Sequence, residues 1–316
     1  MSLRNLSAPP LVTLAAGVAT MAGLPALDAI FATTSLTTLK WINTAAFALN
    51  VAAVSVPGRL DGQQDEEMRK GELNPLKPEA TTASDVYGRN RSRTLVDPSG
   101  WAFAIWGPIY LGETALIATQ LFSSHADAVI PGMAAPFVAA NIFQSLWCAS
   151  FRPSYLGAGM NKYISAGMLA GTAYSLSMVL QASNAAVVAD PTFHSWLLAP
   201  IVMHFGWVSA ATLVNLNGSL ASDETTSPRA LTALGHSSAV VATALGVGVT
   251  TSLSAPIYGL TLAWALAACA AGMKKRKAAH SEHDEEILSA AANVQHKLCL
   301  AGSLICGATA LYTALL

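Results

Sequence analysis

"DPSGWAFAIWGPIYLGE" occupies residues 97–113. It begins polar, turns apolar and ring-rich, and then meets a carboxylate. Phe103, Trp106, Tyr110 and Glu113 are spaced 3, 4 and 3, so they share one face if the segment is a helix. Pro108 falls inside that helix and should bend it. What the ringed face does depends on the solvent around it, and the rest of the chain points to lipid. Of the 316 residues, 53% are hydrophobic and 11% charged, and the mean hydropathy is +0.46. Soluble domains carry about 25% charged residues.

Bilayer-spanning helices need about 20 apolar residues each. Eight segments qualify: 40–57, 100–122, 129–151, 160–182, 195–219, 230–250, 254–273 and 291–315. A further apolar stretch, 11–33, contains Pro25 and Asp28 and reads as a ninth span, an interfacial helix or part of a targeting sequence. Threading the eight segments alternately through a membrane places 15 of the 17 Lys and Arg residues on one side, here called face B. Lys40 falls on the opposite side, face A, and Arg4 joins face B if 11–33 spans. Such one-sidedness is the positive-inside pattern, so face B is the cytoplasmic-type side. Residues 58–99 form a long polar loop on face B, and 274–290, with its Lys274–Lys277 cluster, a solvated connector that can also meet anionic headgroups. The fold class is therefore an all-α, multi-pass integral membrane bundle.

Other classes are excluded by what is missing. The net charge of −1 gives no footprint for nucleic acid, and no phosphate-binding glycine loop or dinucleotide fingerprint occurs. Cys148, Cys269, Cys299 and Cys306 lack metal spacing and read as core thiols; no metal site is assigned. No Ser/His/Asp order or close carboxylate pair suggests hydrolysis, so no catalytic residue is assigned. Gly167 and Gly171 make a G-x-x-x-G packing pair. Inverted repeats with broken helix pairs, the mark of many secondary transporters, are not visible.

Glu113 lies well inside its span. A charge near mid-bilayer costs about 2.5–3.5 kcal/mol on insertion scales, so it needs a partner. His204 is the candidate, because His204, Trp207, Ala211 and Asn215 form a second stripe at spacings of 3, 4 and 4. Asn141, Gln144 and Trp147 form a third, whose amides also serve as interhelical glue. Three ringed and amide-bearing faces can line a flat, mostly apolar cavity for a planar ligand.

These motifs resemble a known family. "PSGWAFAIWGPIY" (98–110) is similar to the start of the second membrane helix of the translocator protein family, the tryptophan-rich sensory or TspO/MBR proteins. "APIVMHFGWVSAATLVNLNGSL" (199–220) resembles the fifth-helix motif and "NIFQSLW" (141–147) the third. "ALNVAAVSVPGRLDG" (48–62) and "FAIWGPIY" resemble a longer bacterial branch. Ser99 replaces the second proline of the second-helix motif, its Phe-to-Trp spacing is three rather than four, and Ala149 stands where a proline follows the third-helix Trp. The resemblance covers about 40–220, leaving 1–39 as an N-terminal extension and 221–316 as added membrane helices.

The resemblance implies a five-helix core that binds tetrapyrroles or sterols under a lid formed by the long loop, and that often dimerises. Carried over by motif, the pocket residues are Trp101, Phe103, Trp106, Tyr110, Asn141, Trp147, Trp207, Ala211 and Asn215. The helical-face argument adds Glu113, His204 and Gln144. No cofactor is obligatory; a bound tetrapyrrole or sterol is the ligand implied, and membrane lipid, a second copy or a larger membrane complex are the partners. Two rival readings stand beside this one. One is a scaffold subunit of a membrane complex, with a pocket filled by lipid. The other is tryptophan-dependent oxidative breakdown of a bound porphyrin.

Overall fold

The computed structural model describes residues 10–69, 92–150, 159–183, 189, 191–276 and 282–316, and for 10, 55–69, 191–194, 282 and 283 the backbone course alone. Among the described residues there are nine long α-helices and no strand. They are α1 (Pro10–Phe31), α2 (Leu36–Arg69), α3 (Trp106–Phe122), α4 (Ile130–Ser150), α5 (Ile164–Ala182), α6 (Pro191–Ala221), α7 (Pro228–Ser252), α8 (Pro256–Lys274) and α9 (Glu282–Leu315). The chain is an integral, multi-pass membrane bundle. Seven of the described helices are long and apolar enough to cross a membrane, and α1 is one of them.

The other two, α2, whose side chains are described only as far as Val54, and α4, carry polar residues that meet protein. In α2, Asn43 Nδ2 donates to Gln120 Oε1 of α3 at 3.2 Å, and Asn50 Nδ2 donates to Asn141 Oδ1 of α4 at 2.9 Å. Helix α4 carries Asn141, Gln144 and Pro136 and is buried along most of its length by α5, α2 and α1. A helix enclosed by other helices can be less apolar than one facing lipid, since interhelical hydrogen bonds satisfy its amides.

Local chemistry sets the helix ends. Pro10, Pro191, Pro228 and Pro256 each occupy the first helical position, where a missing N–H costs nothing and φ is already helical. Ser227 caps α7 by accepting from the Ala230 N–H at 3.3 Å. Pro108 lies in the first turn of α3, ahead of which Gly100–Ile105 is wound as a tighter 3-10 helix. The proline therefore removes no α-helical bond, and the change in winding comes before it.

Three expectations need correcting. Residues 58–69 are not loop, because α2 runs on to Arg69; residues 70–91, the rest of the expected lid, lie outside the described residues. The connector before α9 is also shorter than expected, since α9 begins at Glu282; Lys277 lies outside the described residues. Of the two small residues in α5, only Gly171 makes the close approach, a Cβ there coming within 2.6 Å of Phe143 on α4, while Gly167 has open space.

Ion pairs join the loops that the threading puts on one side. On face B, Lys162 pairs with Asp223 at 3.0 Å, Arg93 with Asp284 at 3.3 Å and Arg276 with Glu285 at 2.8 Å. Lys40 pairs with Asp127, and both belong to face A. Arg93 also donates to the carbonyls of Ala221, Asp223 and Thr226, tying residues 92–99 to the α6–α7 turn. That strap is pressed into α8: the Ser99 N–H donates to Ala268 O at 3.0 Å, and a Cβ on Gly272 would collide with the Asp97 carbonyl. Leu95 packs with Leu231, Met273 and Leu288 of α7, α8 and α9. Helices α7–α9 thus hold the approach to α3.

Candidate ligand chamber between α2, α3, α4 and α6

Four helix faces converge at the centre of the bundle. Phe103, from the 3-10 turn, and Trp106, Tyr110 and Glu113, from α3, project into the same region. Opposite them, α6 presents His204 and Trp207. Phe103 meets Trp207 edge-to-face with centroids 5.7 Å apart, and Trp106 meets Trp207 at 6.1 Å and His204 at 5.5 Å in the same manner. Trp106 stacks on Tyr110 at 5.6 Å. From α2, Phe47 reaches Tyr110 at 6.3 Å. Aromatic pairs prefer these offset and edge-on arrangements, which leave angular gaps between rings.

Behind the rings sits the ionisable pair. His204 Nδ1 lies 2.8 Å from Glu113 Oε1, and the two residues are 2% and 1% exposed. The close approach has a cause on the neighbouring turn. Gly112 lies against Pro200, and a Cβ on Gly112 would come within 2.6 Å of the proline ring. A glycine facing a proline lets α3 and α6 approach until the carboxylate reaches the imidazole.

The floor is polar. Trp147 Nε1 donates to Asn215 Oδ1 at 3.3 Å, joining α4 to α6, and Asn215 Nδ2 in turn donates to Ala211 O at 3.0 Å. One turn on from Asn141 and one turn before Trp147 lies Gln144, on the α4 face between α2 and α6. Gln144 is fully buried, and neither its Oε1 nor its Nε2 has a hydrogen-bond partner among the described residues. The same holds for Trp207 Nε1 and His204 Nε2. Leaving a buried polar atom unpartnered costs about 1–3 kcal/mol. Tyr110 Oη is in the same state, so four such groups lie on α3, α4 and α6 around the rings.

A cleft of about 400 Å³ opens beside this cluster, lined by Val51 and Val54 of α2 and Tyr110, Leu111 and Thr114 of α3. Tyr110 belongs to both the cleft and the ring cluster, so it is the wall between them.

A family model described as TSPO-like protein matches residues 74–304. The chain belongs to the TSPO-like protein family. No curated protein and no solved structure matches it. The matched stretch of this TSPO-like chain starts after α2 and ends within α9, so it takes in the helices beyond residue 220 as well as the ringed ones.

Within the TSPO-like chain, Phe103, Trp106, Tyr110, Glu113, His204 and Trp207 come together as one cluster, with Asn141, Gln144, Trp147, Ala211 and Asn215 on the adjoining floor. Trp101 does not join them. It packs edge-on against Trp264 of α8 at 4.6 Å, and Trp264 Nε1 donates to Ala102 O at 3.1 Å. Phe47 and Asn50 were not among the expected site residues. Their signal was present: Asn43, Phe47 and Asn50 recur at spacings of 4 and 3, the same one-face pattern as in α3.

Proposed function

We propose that this protein binds a planar hydrophobic ligand, a tetrapyrrole or a sterol-like molecule, in the chamber between α2, α3, α4 and α6. The observation that carries the reading is the meeting of a ring cluster from α2, α3 and α6 with four buried, unpartnered polar groups, Tyr110, Gln144, His204 and Trp207. Apolar sites fix an apolar ligand by area and orient it with a few convergent polar atoms. The flat ring walls suit a flat ligand, and the cleft beside Tyr110 is its route in from the bilayer. Entry requires Tyr110 to turn aside, which merges the cleft with the chamber. Family membership supports a ligand of this class. Trp106 and Trp207 stand nearly perpendicular, so a tetrapyrrole would take one ring against a face and the other at its edge, with Gln144 or His204 toward its polar centre.

The test is a titration of detergent-purified protein with protoporphyrin, haem and a sterol, following tryptophan fluorescence, beside a Trp106→Phe/Trp207→Phe variant. Saturable quenching by one ligand that weakens at least tenfold in the variant is the expected result. Non-saturable signals from all three would overturn the reading.

A further inference from the structure

We propose that the face-B end of the α8–α9 pair is a seat for an anionic phospholipid, with Lys274 and Lys297 holding its phosphate and the apolar stripes beneath them taking its acyl chains. Two hydrogen bonds fix the register of the helices: His296 Nδ1 donates to Ala270 O at 2.8 Å, and Ser303 Oγ donates to Ala263 O at 2.8 Å. The helices therefore run antiparallel, and Lys274, one turn past Ala270, stands a little over one turn nearer the face-B surface than Lys297. On α8, Trp264, Ala267, Ala271 and Lys274 are spaced 3, 4 and 3; on α9, Lys297, Leu300 and Leu304 are spaced 3 and 4. Each set is one helix face. The two alanines are half-buried and the other five residues exposed, so two lipid-facing stripes run side by side, each headed by a lysine.

Lys297 carries the argument. Lys274 and Lys275 close α8, where the carbonyl end of a helix favours a cation without any ligand. Lys297 has no such account, because it lies inside the membrane-competent stretch of α9, Asp284–Leu315, and faces outward. Charged side chains at that depth pair with an opposite charge or reach toward the headgroups. Among the described residues no carboxylate pairs with Lys297, Lys274 or Lys275. Nearby acids are committed elsewhere: Asp284 to Arg93, Asp223 to Lys162, and Glu285 to Arg276 through both oxygens. Glu286, the next exposed carboxylate on α9, lies eleven residues before Lys297, on the order of 16 Å along the axis. The bilayer supplies what the chain does not, since the negative groups within reach of an outward lysine on this side are headgroup phosphates. Basic seats between membrane helices on the cytoplasmic side take anionic heads, and each lysine adds to the attraction. A zwitterionic head is poorer, because its own ammonium already balances the phosphate.

The experiment titrates delipidated full-length protein in neutral detergent with phosphatidylglycerol or phosphatidylcholine and counts bound lipids by native mass spectrometry. The wild type is set beside Lys297→Gln, Lys274→Gln/Lys297→Gln and Arg229→Gln, each first shown to elute as a single species. Arg229 is exposed at the start of α7 on the same face, so its variant removes one positive charge from outside the α8–α9 pair and controls for general surface attraction. A basic residue near an anionic surface is worth about a fivefold change in affinity. The wild type should therefore prefer phosphatidylglycerol about 25-fold and Lys297→Gln about 5-fold, and the double variant should show no preference. Arg229→Gln should match the wild type. Equal affinities for the two lipids in the wild type would overturn the proposal. So would a Lys297→Gln variant that keeps the full preference, or an Arg229→Gln variant that loses as much as Lys297→Gln, since attraction would then belong to the whole face and not to this seat.

Discussion

At the scale of the residue, the Glu113–His204 pair tests how a charge is tolerated inside the bundle. Removing one partner of a buried pair strands the other, which costs about 3–5 kcal/mol, while replacing both with apolar groups of similar size is often neutral. Glu113→Leu and His204→Leu should each lower stability by an amount in that range, and Glu113→Leu/His204→Leu should recover most of it. Unfolding in mixed micelles by a graded denaturing detergent measures the cycle; additive losses in the double variant would show that the two side chains do not depend on each other. The pair was legible in the sequence because both residues lie on ringed stripes and a mid-span carboxylate demands a partner. Trp101, carried over by motif rather than by helical face, lies apart from the cluster. It shares the motif with Trp106, but within the 3-10 turn ahead of α3 it points to Trp264 while Phe103 points to Trp207, a division that a motif match does not reveal.

At the scale of the element, two glycines set how closely segments meet. Gly112→Ala places a methyl group against Pro200 and should part α3 from α6. Overpacking of this kind costs about 1–3 kcal/mol. The same shift lengthens the Glu113–His204 contact, so Gly112→Ala should also weaken ligand quenching, whereas Gly167→Ala, with open space around it, should change neither. Thermal unfolding in detergent and the porphyrin titration read the two effects side by side. The strap at 92–99 is the second case. Its backbone is gripped by Arg93, by the Ala268 carbonyl and by the bare face of Gly272. None of this was readable beforehand, since the segment looks like the tail of a polar loop and its partners lie 128 to 191 residues away in the chain. Helix existence was readable because a run of about 20 apolar residues has one stable form in lipid. The exact reach of α2 was not, because its polar end carries no apolar period to mark where the helix stops.

At the scale of the whole molecule, charge distribution decides stability in acid and orientation in the membrane. On face B, the Thr225 hydroxyl, Lys162 and the Thr225 N–H all stabilise the charged form of Asp223 and hold its carboxyl down from 3.8 to about 2. A depressed carboxylate contributes stability that is present above its unfolded value of about 3.8 and is lost as pH falls toward 2. Melting temperature should therefore drop between those two pH values, and Asp223→Asn should flatten that drop. An unchanged acid limb in the variant would mean the face-B contacts do not link folding to protonation.

Orientation follows from the same charges. The Lys40–Asp127 pair and the Lys162–Asp223 pair mark opposite ends of the bundle, and Lys and Arg are concentrated at the second end. Basic loops are retained on the cytoplasmic side, so face B should be inside. The four native cysteines are buried and leave a low background for thiol labelling. Ser124→Cys, exposed on face A, should react with a membrane-impermeant maleimide in intact cells, and Glu224→Cys, exposed on face B, only after permeabilisation. The reverse pattern would invert the molecule. Labelling of both in intact cells would break the alternation of helices, and with it the convergence of α2, α3, α4 and α6 that makes the chamber, because those faces meet only if each helix runs opposite to its neighbour in sequence.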